Sequence, residues 1–273
     1  MIPMSTNIPV GVFNPLHSGP LPLWQDLLSR QPTLARYGLA MLVLMLPTLL
    51  ALGLDERLIR EVPVWIKPLK FMASTALFAF TTAWFMPLVP AAIRQSRSTK
   101  WMVWTLISTS AFEVAYISFQ AGVGSGSHYN IADSFHAVMY GLMAMAAVLL
   151  TATQAWLGWQ IFRATRSSTP SVFVLSVIAG LLLTFVLSVI SGFALGGKQA
   201  PAGEGWAFLG WHMQGGDGRP AHFLAVHAQQ LIPLMGYLAH QRLKRRGLWA
   251  VAAGILAYLC LWLFLLGRGL VVF

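Results

Sequence analysis

The chain has little charge and almost no cysteine. Only 10% of its 273 residues are charged, whereas 57% are hydrophobic, and the mean hydropathy is +0.67. Since a soluble domain carries about 25% charged residues, this composition excludes an ordinary soluble protein and predicts a multi-pass membrane protein in contact with the lipid bilayer. The single cysteine, Cys260, excludes an internal disulfide and a cysteine-based metal motif. We expect it to be a small buried hydrophobic residue.

Acidic residues are also scarce, and the net charge is +10. Membrane proteins collect Lys and Arg in their cytoplasmic loops, which explains this sign without a nucleic-acid partner. The N-terminal segment lacks the basic, apolar and small-residue regions of a signal peptide. We therefore expect residues 1–33 to form a cytoplasmic or interfacial segment, with LPLWQDLLSR as a short amphipathic helix. Residues 34–273 would form a single transmembrane domain.

Long apolar runs predict an all-α bundle of seven transmembrane helices. The sixth run is the most polar, because it carries two histidines and two glutamines, and this favours a position facing the bundle interior. The predicted spans are residues 34–54, 68–92, 101–121, 135–161, 171–195, 221–240 and 247–268.

The distribution of charge predicts the orientation of the bundle. The side that holds residues 94–100, 163–166 and 241–246 has eleven basic residues and one acid, whereas the other side has seven basic residues and six acids. The positive-inside rule then places the N-terminus inside and the C-terminus outside, in the inner membrane of a bacterial-type cell.

Glu113 is the only acidic residue well inside a predicted span, in WMVWTLISTSAFEVAYISFQ. A carboxylate in the membrane is costly and usually faces a partner or a cavity. Tyr116 and Gln120 follow at helical spacing on the same face, at about the depth that His227 reaches. Glu113 is therefore the candidate catalytic residue, although an acid can also serve only to hydrogen-bond a neighbouring helix.

Five of the seven histidines fall on the predicted outer side. His136 and His222 lie in the first turns of their helices, where the positive helix end favours the neutral imidazole that a metal requires. His222 and His227 are five residues apart, which turns a helix by about 140°, so they cannot share a face. His227, with Gln230 on its own face, is the stronger candidate, and His222 could merely cap the helix. The predicted metal ligands are His128, His136, His212, His222 and His227.

Three functions compete on this basis. The first is redox or electron transfer by a b-type haem between His136 and either His227 or His222, with Lys67, Lys70 and Arg219 near the propionates. The second is a zinc or copper site with three histidines and Glu113, which could hydrolyse lipid-like substrates. The third is a proton-coupled transporter of small molecules. The candidate partners are accordingly a redox protein or a small apolar molecule, and whether the chain is an enzyme is open.

Each of these residues could instead have a purely structural role. First-turn histidines can cap a helix, and Lys67 and Lys70 can extend to the membrane surface. The glycine-rich outer loop, residues 196–220, could fold over the bundle as a lid with Trp206 and Trp211 in the interface, or be a loop with aromatic anchors. A retinal protein is excluded, because the last span has no lysine for a Schiff base.

One helix resembles a known family. The pattern His136, Gly141, LLTA (149–152), Trp156 and Gly158 resembles a helix of the NnrS family, which comprises haem- and copper-containing membrane proteins linked to nitric oxide stress. The resemblance covers residues 135–158. It implies that His136 is a metal or haem ligand, while the shorter gap after Gly141 and the smaller number of spans depart from that family.

Overall fold

The computed structural model describes residues 22–203, 205, 206, 210–243 and 246–271, and these residues are predominantly helical. A hairpin of two short strands, β1 (Leu58–Ile59) and β2 (Val62–Pro63), lies before α3. The helices are α1 (Leu23–Arg30), α2 (Pro32–Leu54), α3 (Ile66–Phe85), α4 (Ala91–Arg94), α5 (Arg97–Gly122), α6 (Ser134–Thr165), α7 (Val172–Gly196), α8 (Arg219–Leu243) and α9 (Gly247–Leu270).

Membrane-spanning length and composition are met by six helices in the described part of the chain, so the protein is a membrane-embedded, multi-pass helical protein. They correspond to six of the seven predicted spans, with ends that differ by a few residues. The predicted span at 221–240 forms α8, which is long enough but more polar than the other six. The six are Pro32–Leu54, Ile66–Leu88, Arg97–Gly122, Ser134–Thr165, Val172–Gly196 and Gly247–Leu270.

The second span ends earlier than the predicted residue 92. The α-helix stops at Phe85 and continues as a 3₁₀ turn over Met86–Leu88. Pro87 and Pro90 account for this end, because proline lacks a backbone N–H and disfavours helical geometry in the residue before it.

The helices pack in the order α2, α3, α5, α6, α7, α8 and α9, each against the next. The closest approach is between α7 and α8. A Cβ atom added to Gly236 would lie 1.8 Å from Ser176 Oγ, and one added to Gly180 would lie 2.9 Å from Pro233 Cδ. Small residues at these positions allow the two backbones to come together, as is common between membrane helices.

Apolar side chains cover the outside of the bundle, notably on α2 and α9. Leu50 and Leu256 are each 64% exposed in the isolated chain, as expected for residues that contact lipid. Cys260 also lies on this outer surface of α9. The expectation that it is buried was wrong, because its position on the helix faces away from α8.

The start of α3 is held by the segment before it. Asp55 pairs with Arg57 at 2.7 Å and accepts a 2.8 Å hydrogen bond from Trp65 Nε1. The bond from Arg57, followed by that from Trp65, holds the pKa of Asp55 below its usual value despite partial desolvation. Arg57 also donates to the carbonyl of Gly122, at the end of α5. These contacts fix the positions of Lys67 and Lys70 in the first turns of α3.

Candidate functional site

Lys67 forms the part of the site at the end of the bundle where α3 begins. Its Nζ lies 2.8 Å from Ser127 Oγ and 3.0 Å from His128 Nδ1. The His128 ring lies between the rings of Phe71 and Tyr140, with centroids 6.1 Å away in both cases. The loop before α6 is therefore tied to α3 by a polar contact and to α6 by an aromatic one.

His128 is held in its neutral form. Burial, followed by the nearby charges of Lys67 and His222, lowers its pKa well below the usual value. A lysine ammonium can only donate, so its contact with Nδ1 requires that nitrogen to be an unprotonated acceptor. The arrangement leaves Nε2 of His128 as the protonated nitrogen.

His222 lies in the first turn of α8, as predicted, but its side chain does not cap the helix. Its Nδ1 is 2.9 Å from Ser191 Oγ on α7. Ser191 also donates to the carbonyl of Leu187, one turn earlier. The imidazole therefore crosses the α7–α8 interface, and the close packing of the two helices gives it a partner that spacing along α8 does not reveal.

His227 lies deeper, and the prediction that it shares a face with Gln230 is confirmed. Its Nδ1 is 3.3 Å from Gln230 Oε1, and its Nε2 is 3.5 Å from Ser74 Oγ on α3. Gln230 Nε2 in turn donates to Thr81 Oγ1 at 3.1 Å. Polar side chains therefore bridge α8 and α3 at two successive levels inside the bundle.

Glu113 lies inside the bundle on α5 and is 8% exposed. Tyr116 and Gln120 are also buried, and Gln120 Nε2 donates to Tyr116 OH at 2.9 Å, so the predicted shared face is confirmed. The charge of Glu113 acts on Lys67 and on Tyr37. In the described part of the chain its carboxyl makes no ion pair within 4 Å.

Glu113 and His227 lie at similar depths. Glu113 is nine residues from the end of α5 at Gly122, and His227 is eight residues from the start of α8 at Arg219. At about 1.5 Å per residue, both are roughly 12–14 Å along their helices from the same end of the bundle. This agrees with the predicted depth.

His136 stands apart from these residues. Asp133 caps α6 by accepting from the His136 N–H, and its other oxygen lies 2.7 Å from His136 Nδ1. The only ring that His136 contacts in the described chain is Phe135, its own neighbour. The expected pairing of His136 with His222 or His227 is not seen in any hydrogen bond or ring contact of the described residues.

Arg219 and His212 belong to the outer loop. Arg219 pairs with Asp217 at 2.6 Å, and Asp217 also accepts from the His212 N–H. Burial alone would raise the pKa of Asp217, but these hydrogen bonds outweigh it and lower the pKa. His212 lines a cavity of about 210 Å³ with Arg268 and Phe264, and its Nε2 is buried without a hydrogen-bond partner among the described residues. Arg219 is thus a loop anchor.

Lys70 follows Lys67 by one turn of α3 and is half-buried. The charges of Arg219 and Asp217 act on it, so it lies at the same end of the bundle as the loop before α8.

The loop reaches the site through one tryptophan. The Trp211 ring packs edge-on against Phe223 at 5.1 Å, and Phe223 packs against His227 at 4.3 Å. Trp206 is 61% exposed, and residues 207–209 of the proposed lid lie outside the described residues. The aromatic anchors predicted for this loop therefore include one that extends towards His227.

A conventional metal site does not emerge from these positions. No group of three or more His, Cys, Asp or Glu side chains in the described residues could hold a metal ion. His128, His222 and His227 are near enough for successive pairs to interact electrostatically, whereas His136 and His212 have separate partners. The five predicted ligands thus do not form one set.

The residues that complete the site, and that sequence reasoning missed, carry hydroxyl side chains: Ser74, Thr81, Ser127 and Ser191. A serine or threonine inside an apolar helix gives a weak signal, because it can bond its own backbone. We call the resulting group the α3–α8 polar site; it comprises Lys67, Ser74, Thr81, Ser127, His128, Ser191, His222, His227 and Gln230.

Comparison with known proteins adds no family: no family model, curated protein or solved structure matches the chain.

Proposed function

We propose that the protein is a proton-coupled membrane transporter of a small polar molecule, with the α3–α8 polar site as its outward-facing substrate and proton site. α8 is then the seventh membrane helix, with the N-terminus inside and the C-terminus outside. The packing of α8 between α7 and α9 supports the first assignment, and the basic loops at residues 94–100, 163–166 and 241–246 support the second.

The observation that carries this proposal is the extent of the polar site. Lys67 and Thr81 are 14 residues apart on one helix, which corresponds to about 21 Å along its axis. This is most of the roughly 30 Å hydrocarbon core of a bilayer. Intramembrane ionisable residues are costly and mark ion, proton or substrate pathways. The series of polar side chains from Lys67 to Thr81 is also longer than two helices need in order to associate.

The residues divide into proton carriers and substrate contacts. His227 in the polar site and Glu113 on α5, which lie at similar depths, can each take up and release a proton. Gln230, Ser74 and Thr81 provide neutral donors and acceptors, which suit a polar solute. Buried polar atoms without a partner among the described residues, such as Gln229 Oε1 and Ser188 Oγ, offer further hydrogen bonds.

Proton flux into liposomes tests the proposal. Purified full-length protein is reconstituted with the pH dye pyranine inside, and amino acids, carboxylic acids and amines are added outside in turn. We expect at least one compound to trigger internal acidification under an inward proton gradient. His227→Gln and Glu113→Gln should reduce this flux roughly tenfold or more, because each removes an intramembrane proton carrier.

His136→Gln is the matched control, since it makes the same change at a half-buried histidine outside the α3–α8 polar site. It should leave the flux intact. If no compound in the panel moves protons, or if His136→Gln abolishes the flux as His227→Gln does, the proposal fails.

A bound haem is the second candidate, and one observation favours it. His128 and His222 come from different elements, interact electrostatically and both engage Nδ1, with Lys67 and Ser191 respectively. The Ser191 contact orients His222 and leaves its Nε2 for a ligand bond. The Lys67 contact puts the ring proton of His128 on Nε2, so His128 would bind iron through Nε2 only after Lys67 moves away and the proton shifts to Nδ1. Protein expressed with haem supplied would then show a Soret band that His128→Ala and His222→Ala abolish and His136→Ala does not. Absence of the band in the wild-type protein rejects this candidate.

A further inference from the structure

A second polar feature lies at the opposite end of the bundle from Lys67. A cavity of about 420 Å³ lies between the last turns of α6 and the start of α5. Arg163 and Arg166 line it together with the polar side chains of Gln160, Ser96 and Ser98, and Ala92, Ile93 and Ala164 complete its wall. None of these residues belongs to the α3–α8 polar site.

The surroundings of this cavity are strongly basic. Residues 91–100 and 160–170 contain five basic residues and no Asp or Glu. Arg94, next to the cavity wall, has a buried Nε that finds no hydrogen-bond partner in the described part of the chain. The N-terminus of α5 adds its partial positive charge to the same place. An anion here would meet several donors and no repelling carboxylate.

Exposed aromatic residues place the cavity at the membrane surface. Trp101 is 74% exposed and Trp104 is 59% exposed, both in the first turns of α5. On the last turns of α6, Trp159 and Phe162 pack against each other at 5.6 Å and are also exposed. Tryptophan concentrates at the headgroup level of a bilayer, so the cavity opens where lipid phosphates lie.

We propose that this cavity binds the phosphate of an anionic phospholipid. Arginine pairs with two phosphate oxygens at once, and the Gln160 amide can donate to another oxygen. Basic pockets between membrane helices on the cytoplasmic side are suited to such headgroups. The flanking tryptophans provide an apolar surface for the acyl chains, which a free phosphate ion would leave unused. This site does not depend on the transport proposal.

Native mass spectrometry of the full-length protein in detergent tests it. Phosphatidylglycerol and phosphatidylcholine with identical acyl chains are titrated separately. We expect phosphatidylglycerol to bind preferentially, and Arg163→Gln/Arg166→Gln to weaken that binding roughly tenfold, because each interfacial arginine contributes to anionic-lipid affinity. Arg163→Lys/Arg166→Lys should retain part of the preference, since it keeps the charge.

Arg36→Gln/Arg242→Gln is the charge-matched control, with two exposed arginines removed elsewhere on the basic side. It should bind phosphatidylglycerol like the wild type. If both Arg→Gln double variants lost phosphatidylglycerol binding equally, the binding would depend on general surface charge, and the proposed site would be overturned. Equal binding of the two lipids, or displacement of phosphatidylglycerol by inorganic phosphate at the same concentration, would overturn the assignment of a lipid ligand.

Discussion

His136 and His222 occupy equivalent places in the sequence and different places in the molecule. Each lies in the first turn of a long helix at the same end of the bundle. His136 turns back to Asp133, three residues away on its own helix, whereas His222 reaches Ser191 on α7. A histidine in the first turn of a helix can bond the capping residue of its own helix, as His136 does. It bonds a residue far away in the sequence, as His222 does, where a second helix packs closely against that turn.

Helix α7 lies close to α8 because of small residues that are far from His222 along both helices. Ser176 near the start of α7 meets Gly236 near the end of α8, and Gly180 meets Pro233 one turn further along. The first turns of α6 have no such contact: a Cβ added at Gly141 would find nothing within 4 Å. The difference between the two histidines therefore rests on the α7–α8 interface.

The largest expected effect breaks that interface. Gly236→Ala places a methyl group 1.8 Å from Ser176 Oγ, which is a severe steric clash, so α7 and α8 must separate. Overpacking of this kind costs about 2 kcal/mol. Gly141→Ala, the same change on α6, should be neutral or slightly stabilising, because alanine favours a helix. Thermal unfolding in detergent, followed by size-exclusion chromatography, measures both. Equal melting temperatures for the two variants would show that the interface is not tight.

A smaller effect tests the partner of each histidine. Ser191→Ala leaves the buried Nδ1 of His222 without its hydrogen bond, which should cost roughly 1 kcal/mol. Asp133→Asn keeps an oxygen for the helix cap and changes only the exposed contact with His136, so the melting temperature should hardly change. The comparison would be wrong if Asp133→Asn proved the more destabilising of the two.

The smallest expected effect is on pH dependence. The low pKa of His128 means that the folded protein keeps this imidazole neutral while the unfolded chain takes up a proton near pH 6.5. Stability should therefore fall as the pH drops from 7.5 to 5. His128→Gln should reduce this loss by a few degrees in melting temperature. An undiminished pH dependence in His128→Gln would contradict neutral burial of His128.

Much of the fold could be predicted from local patterns. Six spans followed from the length of their apolar runs, because a bilayer sets that length. The second predicted span ends earlier than expected, at Pro87. The span that forms α8 gave the weakest signal, because it is the most polar of the seven. Asp133 caps α6 by accepting from the His136 N–H, a contact between residues only three positions apart.

The site was only partly predictable. Glu113 with Gln120, and His227 with Gln230, were found because residues three, four or seven apart share a helix face. His136 resembled a ligand by every local criterion, but the nearest partner that the structure gives it is Asp133. Ser191 and Ser127 gave no sequence signal, because their roles depend on residues at least 31 positions away or on a loop conformation.

The sequence by itself determined that the protein is helical and embedded in a membrane, and which polar residues share a face on α5 and on α8. Both follow from hydropathy and helical periodicity, which are local properties. The tertiary structure alone decided which histidines belong together, because that depends on which helices approach closely. Small residues on α7 and α8 allow this approach, and they bring His222 to Ser191 while His136 remains at the surface.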